Sequence, residues 1–361
     1  TVAEMRRQSI ASGQVVARVG SWELETTQYA LTKAAAWRVG WRHPLLGVGP
    51  GAFVAEVDRM KTTGEYPSTM LTFAPHSTYL GTFAEEGLVG CAALAACTTA
   101  PPNPEAVAER EVEFDTPDGK MDATFVAPAA GRWPAVLVWP DIMGLRPAFK
   151  LMGQRLAKSG YAVLTVNPFY RQQKGQVFDA QREKFSDPPV RQRLIGLMAP
   201  AVGNPENTRK DATAAIAWLD RQASVDTSRG VGTTGYCMGG PLVMRSMAFV
   251  PDRVKAGASF HGGGLAVVNP SAPEAQRANS PHLLVPRMKA KAMLIAVAQN
   301  DDRQDPTTKD TVKAAFVAQH IPAEVEVYPA DHGWCPPDSP VFDQAQADRA
   351  WGRLLATFKV L

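Results

Sequence analysis

From about residue 105 onward the sequence alternates between two kinds of segment, and that alternation restricts the fold more than any other feature. Short apolar runs, PAVLVWP from Pro134 and YAVLTV from Tyr161, have the length of strands and no polar face. Strands of that kind are buried on both sides, as in parallel sheets. Further strand candidates are VGTTGY, KAGASF, AMLIAVA and AEVEVYP. Between them lie helical patterns. Pro147 opens one that runs through Lys158, with Phe149, Met152 and Leu156 on one face and Gly160 as its stop. Another spans Asn207 to Gln222, with Ala212, Ala215, Ile216 and Leu219 on one face, and a last helix runs from about Phe342 to Phe358. EVEFDTPDGKMDATFVAP reads as two strands around a Pro-Asp-Gly turn. Strand–helix alternation implies a mostly parallel α/β sheet with helices on both faces. Such sheets place their working residues at the carboxyl ends of the strands.

GYCMGG, residues 235–240, falls at such an end. It has the Gly-x-nucleophile-x-Gly form of a nucleophile elbow, with Cys237 where serine is usual. The corner is tight, so Gly235 and Gly239 answer a steric demand. A helix starting just after Cys237 points its positive end at the sulfur and favours the thiolate. The amide of Met238 is then placed to donate to an oxyanion. The competing reading is a buried cysteine at a glycine-rich turn.

A thiol nucleophile needs a base and a group to orient it. In this fold class the chain order is nucleophile, acid, histidine. AMLIAVAQNDDRQDP supplies two aspartates, Asp301 and Asp302, past one strand, and EVEVYPADHGWC supplies His332 past the next. If the strand continues through them, the two aspartates point to opposite sides. His261, in SFHGGG, also follows a strand but precedes the acid.

With Cys237, Asp301 and His332 in place, residues 105–361 resemble the dienelactone hydrolase family of the α/β-hydrolase fold. The resemblance rests on GYCMGG, PDIMGL at 140–145, NPFYR at 167–171 and DHGW at 331–334. It implies a hydrolase of esters or lactones of small carboxylic acids that works through a Cys-His-Asp triad and a thioester acyl-enzyme, with no metal or other cofactor. It favours Asp301 as the acid, through the pattern with Arg303, and makes the Ile142 amide the second oxyanion donor. Asp141 stands where the family often carries a glutamate that holds the resting thiol; it is one methylene shorter, and the resemblance implies a modulating or substrate-binding role for it. Arg171 matches an arginine that the family places near a substrate carboxylate. Better-known members have another arginine four residues after the histidine; here that place is Pro336, which argues against dienelactone itself as substrate. Tyr170 and Trp334, with Trp139, Phe169 and Met238, are candidates for lining an aromatic pocket.

Residues 1–97 differ from the rest, and the Pro-rich stretch 98–109 reads as a linker. The expected domain beyond it is 110–361. HPLLGVGPGAF from His43, and His76-Ser77 followed nine residues later by Gly87-Leu88-Val89-Gly90, resemble a loop of O-antigen ligase-like membrane proteins over about 30–97. That likeness would make His76 catalytic and Arg38 a pyrophosphate contact. The run LVGCAALAAC, 88–97, is about half the ~20 residues of a membrane span. A mainly helical, non-catalytic appendage is therefore expected.

Composition excludes several classes. A net charge of +3 with no Lys/Arg block does not fit a nucleic-acid partner. Cys91, Cys97, Cys237 and Cys335 show no disulfide or zinc spacing. The first twenty residues carry Met5-Arg6-Arg7 but no apolar core. Together these lead us to expect a cytoplasmic monomer or weak oligomer acting on a small-molecule ester or lactone, with the periplasm as the alternative compartment. Glycan transfer by the N-terminal segment and a non-catalytic α/β-hydrolase-like binding module are the competing functions.

Overall fold

The computed structural model describes residues 14–19, 22–26, 28–48, 52–66 and 106–361. The chain divides into two compact units, Thr1–Pro102 and Asn103–Leu361. In the first, β1 (Gln14–Val19) and β2 (Trp22–Thr26) form an antiparallel pair. Helices α1 (Gln28–Arg42) and α2 (Phe53–Thr62) follow. Ala35, Ala36 and Val39 of α1 share a small apolar core with Phe53, Val57 and Met60 of α2. The strand pair was not expected from the sequence. His76 and the Gly87–Gly90 motif lie outside the described residues, as do the linker through position 105 and the run 88–97. Arg38, on α1, reaches the Glu65 carbonyl at 3.4 Å. Among the described residues, no helix is long and apolar enough to cross a membrane.

The second unit is built on one eight-stranded sheet. Its strands are β3 (Val107–Thr116), β4 (Gly119–Pro128), β5 (Ala135–Trp139), β6 (Ala162–Val166), β7 (Val231–Tyr236), β8 (Val254–Phe260), β9 (Ala292–Ala298) and β10 (Ala323–Tyr328). They lie in the order β10-β9-β8-β7-β5-β6-β4-β3. The β3–β4 and β4–β6 pairs are antiparallel; the pairs from β6 through β10 are parallel. Along β5, Leu137 and Trp139 turn to one face, and Val136 and Val138 to the other. Each face is covered, which is why these strands carry no polar alternation.

Helix α3 (Pro147–Lys158) begins with proline at its first position and ends with Arg155 and Lys158 in the last turn, both favourable for a helix. It covers one face with Phe149 and Leu156, together with Leu354 and Phe358 of α10 (Gln344–Phe358). Asp343 caps α10 by accepting from the Gln346 amide at 3.0 Å. Between α3 and α10 in the chain come α4 (Pro188–Gly203), α5 (Pro205–Leu219), α6 (Gly239–Phe249), α7 (Glu274–Ala278), α8 (Gln299–Gln304) and α9 (Thr307–Ala318). Ile216 and Leu219 of α5, Leu242 and Val243 of α6, and Phe316 of α9 fill the other face.

Strands β5 and β7 are neighbours, yet the chain leaves β5 for β6 on one side and continues from β7 to β8 on the other. That reversal opens a crevice at the carboxyl ends of β5 and β7. The register aligns Trp139 with Gly235. The residues after each, 140–142 and 236–238, therefore face one another across it.

Candidate active site

Five adjacent strand ends contribute to this crevice: β5 through Asp141 and Ile142, β7 through Cys237, β8 through His261, β9 through Asp301, and β10 through His332.

Cys237 sits between the last residue of β7 and the first of α6 with a φ of 54°. That left-handed conformation costs a non-glycine residue about 1–2 kcal/mol, so the surroundings must impose it. The Cys237 amide donates to the Phe260 carbonyl at 3.1 Å, and the Cys237 carbonyl accepts from Gly240 at 3.1 Å. A Cβ on Gly235 would stand 2.4 Å from the Gly239 carbonyl oxygen, and one on Gly239 would stand 2.4 Å from the Trp139 carbonyl oxygen. Both glycines are needed because backbone, not side chain, occupies the space. The corner leaves Cys237 a free, half-buried thiol.

Cys237 packs against an apolar cluster that contains Ile142, Phe169, Leu194, Leu197 and Met238, with Met143, Val190 and Met198 alongside. Ile142 and Met238 are thus near the thiol. Neither of their amides has a hydrogen-bond partner among the described residues.

His332 follows β10, and its amide donates to Asn300 Oδ1 at 2.8 Å. Its Nδ1 lies 2.7 Å from Asp301 Oδ2, which leaves Nε2 unengaged by the acid. Burial pulls the imidazole pKa down, but the hydrogen bonds and charges of Asp301 and Cys237 carry it up to about 10. Of the two aspartates, Asp301 is the one on the imidazole; Asp302 binds Lys309 Nζ at 2.6 Å. The strand does not continue through them. It ends at Ala298, and the short helix α8 turns the pair apart.

His261 fills the space at the end of β8, between the nucleophile strand and the acid strand. It is fully buried with a φ of 41°. Its ring meets that of His332 edge-on at 5.0 Å and that of Trp334 at 5.0 Å. Burial, and then the neighbouring His332, hold its pKa well below the ordinary value. It is therefore a neutral imidazole that packs against the second histidine. A strand-end histidine beside the elbow was the only sequence signal for it.

Three expected roles meet other partners. Asp141 does not hold the thiol. Arg146 bonds both of its carboxylate oxygens, at 2.7 and 2.9 Å, and Oδ1 also accepts from the Met143 amide at 2.9 Å. Arg146 is 1% exposed and also grips Asp338, at 2.7 and 2.9 Å. The sequence reading missed Arg146 and Asp338. Nor is Arg171 open to a substrate carboxylate. It makes two bonds to Asp211 at 2.8 and 2.6 Å and two to Asp118 at 3.0 and 2.8 Å. Tyr170 belongs to the same network, 2.7 Å from the Thr116 hydroxyl and 2.9 Å from Asp211. Trp334 is fully buried and stacks on Tyr328 at 5.3 Å, so it supports the histidine loop rather than lining a pocket. Trp139 is likewise buried, donating to Ser246 at 3.1 Å.

A sequence model described as the dienelactone hydrolase family matches residues 121–361. The chain belongs to the dienelactone hydrolase family. Members of this family are carboxylic ester hydrolases, and so is this protein. A protein of Methylorubrum extorquens with the provisional name carboxymethylenebutenolidase is 28% identical over 272 residues, covering 74% of this chain and 86% of its own. The carboxymethylenebutenolidase of a Pseudomonas species, strain P51, is 31% identical over 124 residues, 34% of this chain and 48% of its own. The crystal structure of a dienelactone hydrolase-like promiscuous phosphotriesterase from metagenomic libraries superimposes with a TM-score of 0.55 at 22% identity, covering 71% of this chain and 99% of that one. That last likeness is one of fold.

Proposed function

We propose that this dienelactone hydrolase family member cleaves esters or lactones of small carboxylic acids through Cys237, His332 and Asp301, by way of a thioester. The observation that carries the reading is the arrangement itself: a cysteine held at φ 54° on the elbow, close enough to His332 to act on its charge, and an imidazole whose Nδ1 lies 2.7 Å from Asp301.

The proton of the Cys237 thiol passes to His332, whose raised pKa lets it keep that proton during the attack. The sulfur attacks the ester carbonyl and forms a C–S bond, and the charge moves to the carbonyl oxygen. The free amides of Ile142 and Met238 receive that oxyanion. As it collapses, the C–O bond breaks and His332 gives its proton to the departing alkoxide. His332 then takes a proton from water while the hydroxide adds to the thioester. The C–S bond breaks, the carboxylic acid leaves, and the Cys237–His332 pair returns with its proton. Asp301 fixes the tautomer and steadies the imidazolium throughout.

The test combines inactivation and trapping. Iodoacetamide should abolish turnover of p-nitrophenyl acetate, and mass spectrometry after a brief pulse of ester should find the acyl group on the peptide that contains Cys237. A Cys237→Ala protein with full esterase activity, or acylation at another residue, defeats the assignment.

A further inference from the structure

We infer that the substrate of this site carries no carboxylate beside the bond that is cleaved: it is an uncharged, apolar ester or lactone. The inference rests on the thiol-hydrolase reading above and concerns what that thiol meets. The strongest recognition of an anionic substrate comes from a cation with an unused bonding edge. The two arginines nearest to that role in the sequence have none left. Arg146 spends both faces of its guanidinium on Asp141 and Asp338. Arg171 spends its own on Asp118 and Asp211. Pro336 stands where an arginine would follow the histidine.

A third buried arginine, Arg245, has no carboxylate partner among the described residues; its guanidinium meets the carbonyls of Val202 and Asn279. It stands six residues beyond Gly239, the first residue of α6; its Nε keeps no partner but is fully buried, so that edge is closed to a substrate. Arg303, by the acid loop, is largely exposed and 3.7 Å from Asp331, where solvent screens it.

The charge that does stand beside the oxyanion donors has the wrong sign for an anion. Asp141, Arg146 and Asp338 form one cluster of two carboxylates and one guanidinium, a net charge of −1, next to Ile142 in sequence. A substrate carboxylate brought to this crevice would be repelled by it and would leave water without gaining a partner. What the thiol packs against is hydrocarbon and thioether: Ile142, Leu197, Met198 and Met238. An apolar acyl chain suits such surroundings better than a charged one does.

The experiment compares kcat/KM for p-nitrophenyl butyrate with that for the mono-p-nitrophenyl ester of glutaric acid, which places a carboxylate on an acyl chain of similar length. The neutral ester should be favoured by about tenfold or more, mostly through KM, and the gap should narrow as salt is raised. Asp338→Asn brings the cluster to neutrality and loosens one edge of Arg146, so it should move the ratio several-fold toward the glutarate ester. Equal or better turnover of the glutarate ester overturns the inference and leaves the thiol mechanism standing. Failure on both esters, with no acylated Cys237 peptide, overturns the mechanism and the inference together.

Discussion

His332 has an ordinary pKa of 6.5 when free and is carried to about 10 in the folded protein, against the pull of its burial. Below 6.5 the folded and unfolded chains both hold the proton, and the stability that the Asp301 bond and the neighbouring Cys237 lend the imidazolium is fully present. Above 6.5 the unfolded chain releases a proton that the folded chain keeps. The contribution therefore drains as pH rises, and is gone once the pH passes about 10. Asp301→Asn removes the main support of that shift. Urea denaturation of both proteins across this interval should show stability falling more steeply with pH in the natural chain than in the variant; parallel curves would contradict the proposed coupling. The same substitution should lower kcat by about a hundred- to ten-thousand-fold, because an amide in place of the carboxylate can hold the wrong tautomer. Esterase assays at fixed pH measure that directly.

At the scale of single elements, the β7–α6 corner makes the sharpest steric demand. Gly235→Ala and Gly239→Ala each press a Cβ to 2.4 Å from a carbonyl oxygen of the backbone. Backbone cannot swing aside as a side chain can, so each should cost about 3 kcal/mol or more and shift the thiol out of place. Gly196, inside α4, has nothing within 4 Å of the same added atom; Gly196→Ala should gain about 0.5–1 kcal/mol from helix propensity. Thermal unfolding of the three variants tests the contrast. The demand on Gly235 and Gly239 was legible in the sequence because it is local: small residues two positions either side of a nucleophile. The strand ends were legible for the same reason, since continuous apolar runs announce their own length, and the helix read as Pro147 to Lys158 has those bounds in the structure. Which aspartate meets His332 was not legible from strand periodicity. The pattern could not show that the chain leaves the sheet at Ala298 and enters α8 before either carboxylate appears. Helix α4 also escaped notice. Its prolines at 188, 189 and 200 interrupt the pattern, yet Leu194 and Leu197 from it pack in the cluster against which Cys237 rests.

Across the catalytic unit, the least legible feature is the bond between its distant parts. Arg146 at the start of α3 and Asp338 in the loop before α10 are 192 residues apart, and no spacing rule joins them. The family resemblance put Asp141 by the thiol, whereas its partner stands five residues later and is itself shared with the histidine loop. The guanidinium thus ties the β5 end, which carries Ile142, to the segment that follows His332. A buried charge left without its partner is costly, so Arg146→Met should lose about 3–5 kcal/mol. The loss comes mainly from Asp141, which is buried, and less from Asp338, whose side chain is 25% exposed and stays hydrated. Adding Asp141→Asn removes the stranded charge while keeping an oxygen for the Met143 amide. The double variant should therefore recover a substantial part of the loss, and urea midpoints of the two single variants and the double variant measure that coupling. If the double variant is as unstable as the sum of its parts, the cluster is not the unit that the geometry describes, and the β5 end must be held by something other than this ion pair.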